Sequence, residues 1–293
     1  MIGEQSQGDR DGLRRPDAAA ELEVEEPDGG PVDNKRRIIV FLALAFGISW
    51  ISYIVRISFE FAVALDQTLR LIVKFGPSIA GVVMTFAVGG SAGIRRLGRK
   101  LVQWKVAPRW YCIALLGPLA VSLMAIILAS LFRRAAFPEL NISSAQSLAP
   151  LLNLFAIRLF AGGGLGEELG WRGFMLPELQ RSFNPLSASI MIGACWGLWH
   201  LPAYGIAGTI IFSVSTISGA IIFTWMYNST NGNLLLPVLM HAAINAYVAF
   251  LPTVIPSIAG EILWILLYFG LTLLIAIKLA RSKSFSEPLG AHA

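Results

Sequence analysis

Three short stretches of this chain carry side chains whose types and spacing suit acid–base chemistry. The stretch "GEELGWRG", residues 166–173, sets Glu167 and Glu168 side by side with Arg172 one helical turn later. The stretch "CWGLWHLP", residues 195–202, holds Trp196 and His200 four apart, and "LMHAAINAY", residues 239–247, holds His241 and Asn245 four apart. Residues four apart on a helix share a face. Glu168 and Arg172 are therefore expected to pair, while Glu167 is rotated by about 100° and points elsewhere. One carboxylate is then neutralised in place and its neighbour is left to do chemistry. His241 and Asn245 present an imidazole and an amide to one side.

The surroundings of these groups make them unusual. The chain has 293 residues, of which 55% are hydrophobic and 14% charged. That composition excludes an ordinary soluble domain and implies an all-α polytopic membrane bundle. Ten of the eighteen acidic residues fall within residues 1–34, a polar stretch rich in Gly and Pro. Such a stretch cannot bury enough apolar surface to fold. Residues 1–34 are thus expected to be a disordered acidic cytoplasmic tail, 35–284 a transmembrane domain, and 285–293 a short C-terminal tail. Cys112 and Cys195 lie in apolar stretches, where small packing residues are expected rather than a disulfide.

About 20 apolar residues are needed to cross the hydrocarbon. Eight candidate spans lie near 38–56, 71–90, 110–132, 150–180, 185–201, 206–227, 233–251 and 259–280. The second is interrupted by Gly76-Pro77 and the fifth is short. The basic stretch "GIRRLGRKLVQWKVAPRW" between spans two and three suits a helix lying along the membrane surface. Eight spans place both termini on one side. With that side inside, inner segments carry three Lys or Arg in 35–37, six in 95–109, Arg181, and three in 278–283. Outer segments carry only Arg56, Arg70, Lys74, Arg133 and Arg134. The positive-inside rule then predicts cytoplasmic termini. The net charge of +5 reflects that orientation, and nothing in it calls for nucleic acid.

Ionisable residues at membrane depth are costly and mark function by default. Counting ~1.5 Å per residue from the turns at 181–185 and 228–232 puts Glu167, His200, His241 and Asn245 at overlapping depths on three helices. Water is expected to reach them from the cytoplasmic side. The glycines of "AGGGLG", residues 161–166, would let helices, or a substrate backbone, approach closely. Arg158, fourteen residues before Arg172 and so only about 40° away in helical projection, is expected to extend the Glu168–Arg172 network.

These residues also resemble a family. "EELGWR" resembles the EExxxR motif of the CPBP family, the CAAX protease, Abi and bacteriocin-processing proteins, which are integral-membrane proteases. Trp196 with His200 resembles its second motif, in which Phe is commoner than Trp, and His241 with Asn245 resembles its third. The resemblance covers about residues 150–250, and the acidic tail lies outside it. It implies peptide-bond hydrolysis within the membrane, with Glu167 as general base and His200 holding the attacking water. It further implies that His241 and Asn245 stabilise the oxyanion while Glu168 and Arg172 support the helix. Zinc held by Glu167, His200 and His241 is the metalloprotease version of this chemistry; the absence of an HExxH sequence favours the metal-free one. The implied partners are membrane lipid and a membrane-associated protein or peptide, prenylated or not. Two other classes fit the residues themselves: a proton-coupled transporter using Glu and His as relays, and a non-catalytic immunity or interaction protein on the same scaffold.

Overall fold

The computed structural model describes residues 31–134, 144–255 and 262–281. Of the expected tail 1–34, only 31–34 fall among these, and they open the first helix. The expected C-terminal tail 285–293 lies outside the described residues. The described residues form ten α-helices: α1 (Pro31–Ser58), α2 (Val63–Leu101), α3 (Pro108–Phe132), α4 (Ser144–Phe160), α5 (Gly163–Gly170), α6 (Leu176–Gln180), α7 (Pro185–Trp199), α8 (Leu201–Ser229), α9 (Leu235–Val254) and α10 (Ile262–Ala280). A short π-helical turn, Trp171–Met175, joins α5 to α6.

The molecule is a polytopic helical bundle. Among the described residues, six stretches are long and apolar enough to cross a membrane: Asp33–Ser58, Val63–Leu101, Pro108–Phe132, Leu148–Gln180, Leu201–Ser229 and Leu235–Thr253. The fifth and eighth expected spans correspond to shorter apolar helices, Pro185–Trp199 and Ile265–Ala280. Large apolar side chains face outward along the bundle, among them Ile39, Phe86, Ile206 and Ile210. Hydrocarbon, which is as apolar as the core, can solvate such a surface.

Inside a membrane every backbone polar group needs a partner from the protein. Pro77 shows how this chain supplies one. It lies within α2 and has no N–H, so the carbonyl four residues earlier, on Val73, loses its helical donor. Ser49 of α1 donates its hydroxyl to Val73 O at 2.8 Å. Gly76 makes the approach feasible, because a Cβ there would collide with Ser49 Oγ. The interruption that weakened this span in sequence is therefore a contact between α1 and α2.

Farther along α2, Gly90 leaves helical geometry (φ 55°, ψ −151°), a conformation that a side chain would strain. The chain turns there, and the basic stretch continues as a separate helical arm ending at Leu101. The arm is anchored, since Leu234 N donates to Lys100 O at 3.0 Å and Asn233 Nδ2 to Gln103 O. Asn233 also caps the start of α9 by accepting from Leu236 N at 2.9 Å.

The main core joins α1, α2, α5, the π-turn, α7 and α8 around Phe41, Trp171, Phe174, Trp196, Phe223 and Met226. A second cluster joins α3, α9 and α10 around Ile126, Phe250 and Tyr268. Cys112 and Cys195 are both free thiols.

α2 and α5 cross with their backbones in close contact. Gly81 lies against the Gly170 backbone, and a Cβ on Gly170 would overlap the carbonyl of Pro77. Gly170→Ala is expected to lower the melting temperature in detergent, because the overpacked atom is rigid backbone. The cost is about 1–3 kcal/mol. An unchanged melting curve would show that the two helices can move apart freely. Reporter fusions at both termini are expected to read cytoplasm, from the distribution of Lys and Arg; an outside signal from either end overturns that orientation.

Candidate active site

The expected fourth span does not run as one helix. It breaks after Phe160, where Ala161 and Gly162 bend and Gly162 is extended (φ −139°, ψ −156°) before α5 begins. Five glycines between 162 and 170 allow that short helix to sit close to α2, α4 and α9. Gly166 packs on the Lys74 carbonyl and Gly164 on the Val238 carbonyl. A Cβ at Gly163 would overlap His241 Nε2, so this glycine makes room for the imidazole itself.

The two adjacent carboxylates enter a buried network. Arg172 Nη1 lies 3.1 and 3.0 Å from the two oxygens of Glu168, and both side chains are fully buried. Arg172 departs from an ordinary helix, since it lies in the π-turn. Such turns re-aim side chains and are common at functional sites. Its guanidinium lies over two rings, 4.9 Å from the Trp196 centroid and 4.6 Å from that of Phe223. Glu168 also accepts from His241 Nδ1 at 2.7 Å. A carboxylate only accepts, so Nδ1 carries a proton and Nε2 is the nitrogen turned toward Glu167, 4.0 Å from Oε1.

Glu167 is not left free, as its position in sequence suggested. Its Oε2 accepts from the Trp196 indole at 2.6 Å, which holds the carboxylate in one orientation. The Trp196 ring also packs edge-on to His241, with centroids 5.3 Å apart. Pairing four apart marked Trp196 in sequence, but the indole's role as donor to Glu167 depends on α7 lying beside α5. No spacing within α7 could signal that.

His200 ends α7, at the junction with α8. Its Nδ1 donates to Trp196 O at 2.9 Å, since a carbonyl can only accept, and this leaves Nε2 for other partners. The ring is held among aromatics, stacked with Tyr204 (centroids 5.5 Å apart) and edge-on to Phe212 (4.8 Å). The neighbouring carbonyl of Trp199 is taken by the Trp50 indole at 3.0 Å.

Glu167, His200, His241 and Asn245 line one cavity of about 510 Å³. Trp50, Tyr53, Lys74, Arg158, Tyr204 and Val248 belong to the same lining. These residues lie in the C-terminal half of α1, the N-terminal half of α2, the end of α4, the start of α8 and the far half of α9. The cavity is thus on the side away from Asn34 and the turns at 181–185 and 228–232, where access was expected. The break at Ala161–Gly162 and the end of α7 at His200 direct the polar groups to that side.

Arg158 is also placed differently from the expectation. The bend separates its helix from α5, so counting fourteen residues around one helix does not apply. It lines the cavity and forms no described bond to Glu168 or Arg172. Nor do the expected zinc ligands come together as a set. Among the described residues, no group of three or more His, Cys, Asp and Glu is arranged to hold a metal ion. Nδ1 of each imidazole is engaged by Trp196 O or by Glu168, which leaves both Nε2 atoms facing the cavity.

Residues 149–247 match the family model described as Rce1-like, type II CAAX prenyl endopeptidase. A CAAX prenyl protease 2 of Methanococcus maripaludis is similar, 35% identical over 92 residues that cover 27% of this chain and 34% of that relative. The chain thus matches about a third of the relative's length. The matched segment contains the paired glutamates, Arg172, His200, His241 and Asn245. Through this segment the chain is similar to the Rce1-like CAAX prenyl endopeptidases.

Proposed function

We propose that the protein is an intramembrane endopeptidase acting on a membrane-associated peptide through a water activated by Glu167 and the site histidines. One observation carries this reading. The Glu167 carboxylate and His241 Nε2 face each other across 4.0 Å in a cavity that His200 and Asn245 also line. That separation is too long for a direct hydrogen bond, but it suits a bent bridge through one water about 2.8 Å from each group.

The steps follow from where the protons can go. Glu167 takes a proton from the water as its oxygen bonds to the scissile carbonyl carbon. The carbonyl oxygen becomes an oxyanion, and Asn245 donates its amide N–H to it. His241 in its doubly protonated form donates from Nδ1 to Glu168 and from Nε2 to the same oxyanion. A lost donor of this kind typically costs about 3–4 kcal/mol of barrier lowering. His200 accepts from the water at Nε2 and keeps it near Glu167. As the C–N bond breaks, Glu167 returns the proton to the leaving amine. Trp196 holds Glu167 in place for both transfers, and Glu168 with Arg172 holds His241.

The name of the matched family supports a prenylated CAAX peptide as the first substrate to try. Protein in detergent, with no ion gradient, is expected to cleave a peptide bearing S-farnesylcysteine followed by three residues. Cleavage of this kind separates a peptidase from a proton-coupled transporter. Glu167→Gln is expected to abolish cleavage while the protein melts as the parent does, because shape is kept and only the base is lost. Full activity in that variant would remove Glu167 from the mechanism. Glu168→Gln is expected to lower activity through stability as well, by about 3–5 kcal/mol, because it leaves Arg172 buried without its counter-charge. A melting temperature equal to that of the parent would show that Arg172 does not depend on Glu168.

A further inference from the structure

The end of the bundle opposite the catalytic cavity holds a second, smaller cavity of about 100 Å³. It lies where α1, α2, the π-turn and α6 meet. Arg37, Arg96, Lys100 and Arg181 line it, and Glu178 is the only carboxylate among its described lining residues. The lining thus sets four cations against one anion. Glu178 is shared, lying 3.6 Å from Arg37 Nη1 and 3.7 Å from Arg181 Nε. Asn34 Nδ2 donates to the Glu178 carbonyl at 2.7 Å, which fixes the start of α1 against α6. Lys100 Nζ donates to a neutral group, the Tyr227 hydroxyl, at 3.1 Å.

The fold itself builds this cationic wall. The bend at Gly90 turns the basic arm back on α2, so that Gly93 rests on the Thr85 carbonyl and the Arg96 guanidinium comes up against Gly89. Cations gathered in this way repel one another, and a compact anion between them relieves the repulsion. From Gly89 an apolar stripe runs along the outer face of α2 through Phe86, Val82 and Ile79, all three exposed. Spacings of three and four residues place these side chains on one face. The stretch from Ile79 to Gly89 rises about 15 Å. That is half of a hydrocarbon core about 30 Å thick, the depth of one leaflet.

We propose that this cavity is a site for the headgroup phosphate of an anionic phospholipid, whose acyl chain lies along Phe86, Val82 and Ile79. The lipid belongs to the leaflet at the Asn34 end of the bundle. Arginine forks suit phosphate oxygens, and Lys100 adds a point charge. The excess of positive charge favours a phosphodiester with no cation of its own over phosphatidylcholine, whose choline would be set among arginines. The apolar stripe offers a path that a free phosphate does not need. Gly173 and Phe174, from the π-turn that carries Arg172, belong to the same wall. A bound headgroup therefore ties α1, the basic arm and α6 together and braces that turn from outside.

The test places full-length protein in nanodiscs of equal parts phosphatidylglycerol and phosphatidylcholine, then counts the lipids it retains by native mass spectrometry. The parent is expected to retain phosphatidylglycerol at least about fivefold over phosphatidylcholine. Arg37→Gln/Arg96→Gln should bring that ratio close to one. Arg96→Gln alone, which leaves the Arg37–Glu178 contact in place, should lower it at least about twofold. Arg99→Gln/Lys105→Gln removes the same charge from the same basic stretch outside this cavity, and should leave the ratio as in the parent. A parent ratio near one overturns the proposal. So does an equal loss in the Arg99/Lys105 pair, which would reduce the effect to general attraction by the arm. The melting temperature in detergent gives a second readout: phosphatidylglycerol is expected to raise it in the parent, and glycerol 3-phosphate at the same concentration is not. Equal stabilisation by glycerol 3-phosphate assigns the site to a free phosphate and overturns the lipid. A phosphatidylglycerol preference that appears only with Glu21→Gln, Glu23→Gln, Glu25→Gln and Glu26→Gln makes the acidic N-terminal stretch the occupant, and overturns it too.

Discussion

The buried pair of Arg172 and Glu168 is the constraint around which the site is organised. Both side chains have no solvent exposure, and a guanidinium or a carboxylate alone at that depth would be costly. The cost is offset by several partners at once. Glu168 neutralises Arg172 and binds His241, while the rings of Trp196 and Phe223 lie against the guanidinium face. These partners come from the π-turn, α5, α7, α8 and α9. Satisfying one buried charge therefore fixes five elements relative to one another. Because Glu168 engages His241 Nδ1, the same pair decides which nitrogen faces Glu167.

That arrangement requires unusually close backbones. Gly163 leaves space for the His241 ring, Gly170 accepts the Pro77 carbonyl, and Gly166 accepts that of Lys74. On the opposite side, Gly193 and Gly197 of α7 rest on Ile217 and Ser213 of α8. Apolar contact alone does not drive helices together in lipid, so close packing and polar contacts must. The side-chain hydrogen bonds from Ser49 to Val73 O and from Trp50 to Trp199 O serve the same end. Each satisfies a carbonyl that a proline or a helix end leaves open.

The cavity that results is asymmetric. Acidic and imidazole groups meet at its inner wall, two cations stand nearer the α4–α5 bend, and aromatic side chains lie between. The arrangement also explains why the two neighbouring glutamates are not interchangeable. Glu168 faces the interior and carries the scaffold, whereas Glu167, held by the Trp196 indole, faces the cavity.

Much of this was determined by the amino-acid sequence alone. Composition required a membrane bundle, because so apolar a chain has no soluble packing solution. Helical periodicity required Glu168 to meet Arg172 and separated Glu167 from both, since residues four apart share a face whatever surrounds them. Contacts between helices, in contrast, were decided only by the tertiary structure. The Trp196–Glu167 and His241–Glu168 bonds join residues 29 and 73 positions apart, and no periodicity within a helix encodes such distances. The bend at Ala161–Gly162 moved Arg158 out of the Glu168 network and into the cavity beside Lys74. Glycines permit a bend without specifying one; it forms here because α5 gains its contacts with α2 and α9 only by leaving the axis of α4.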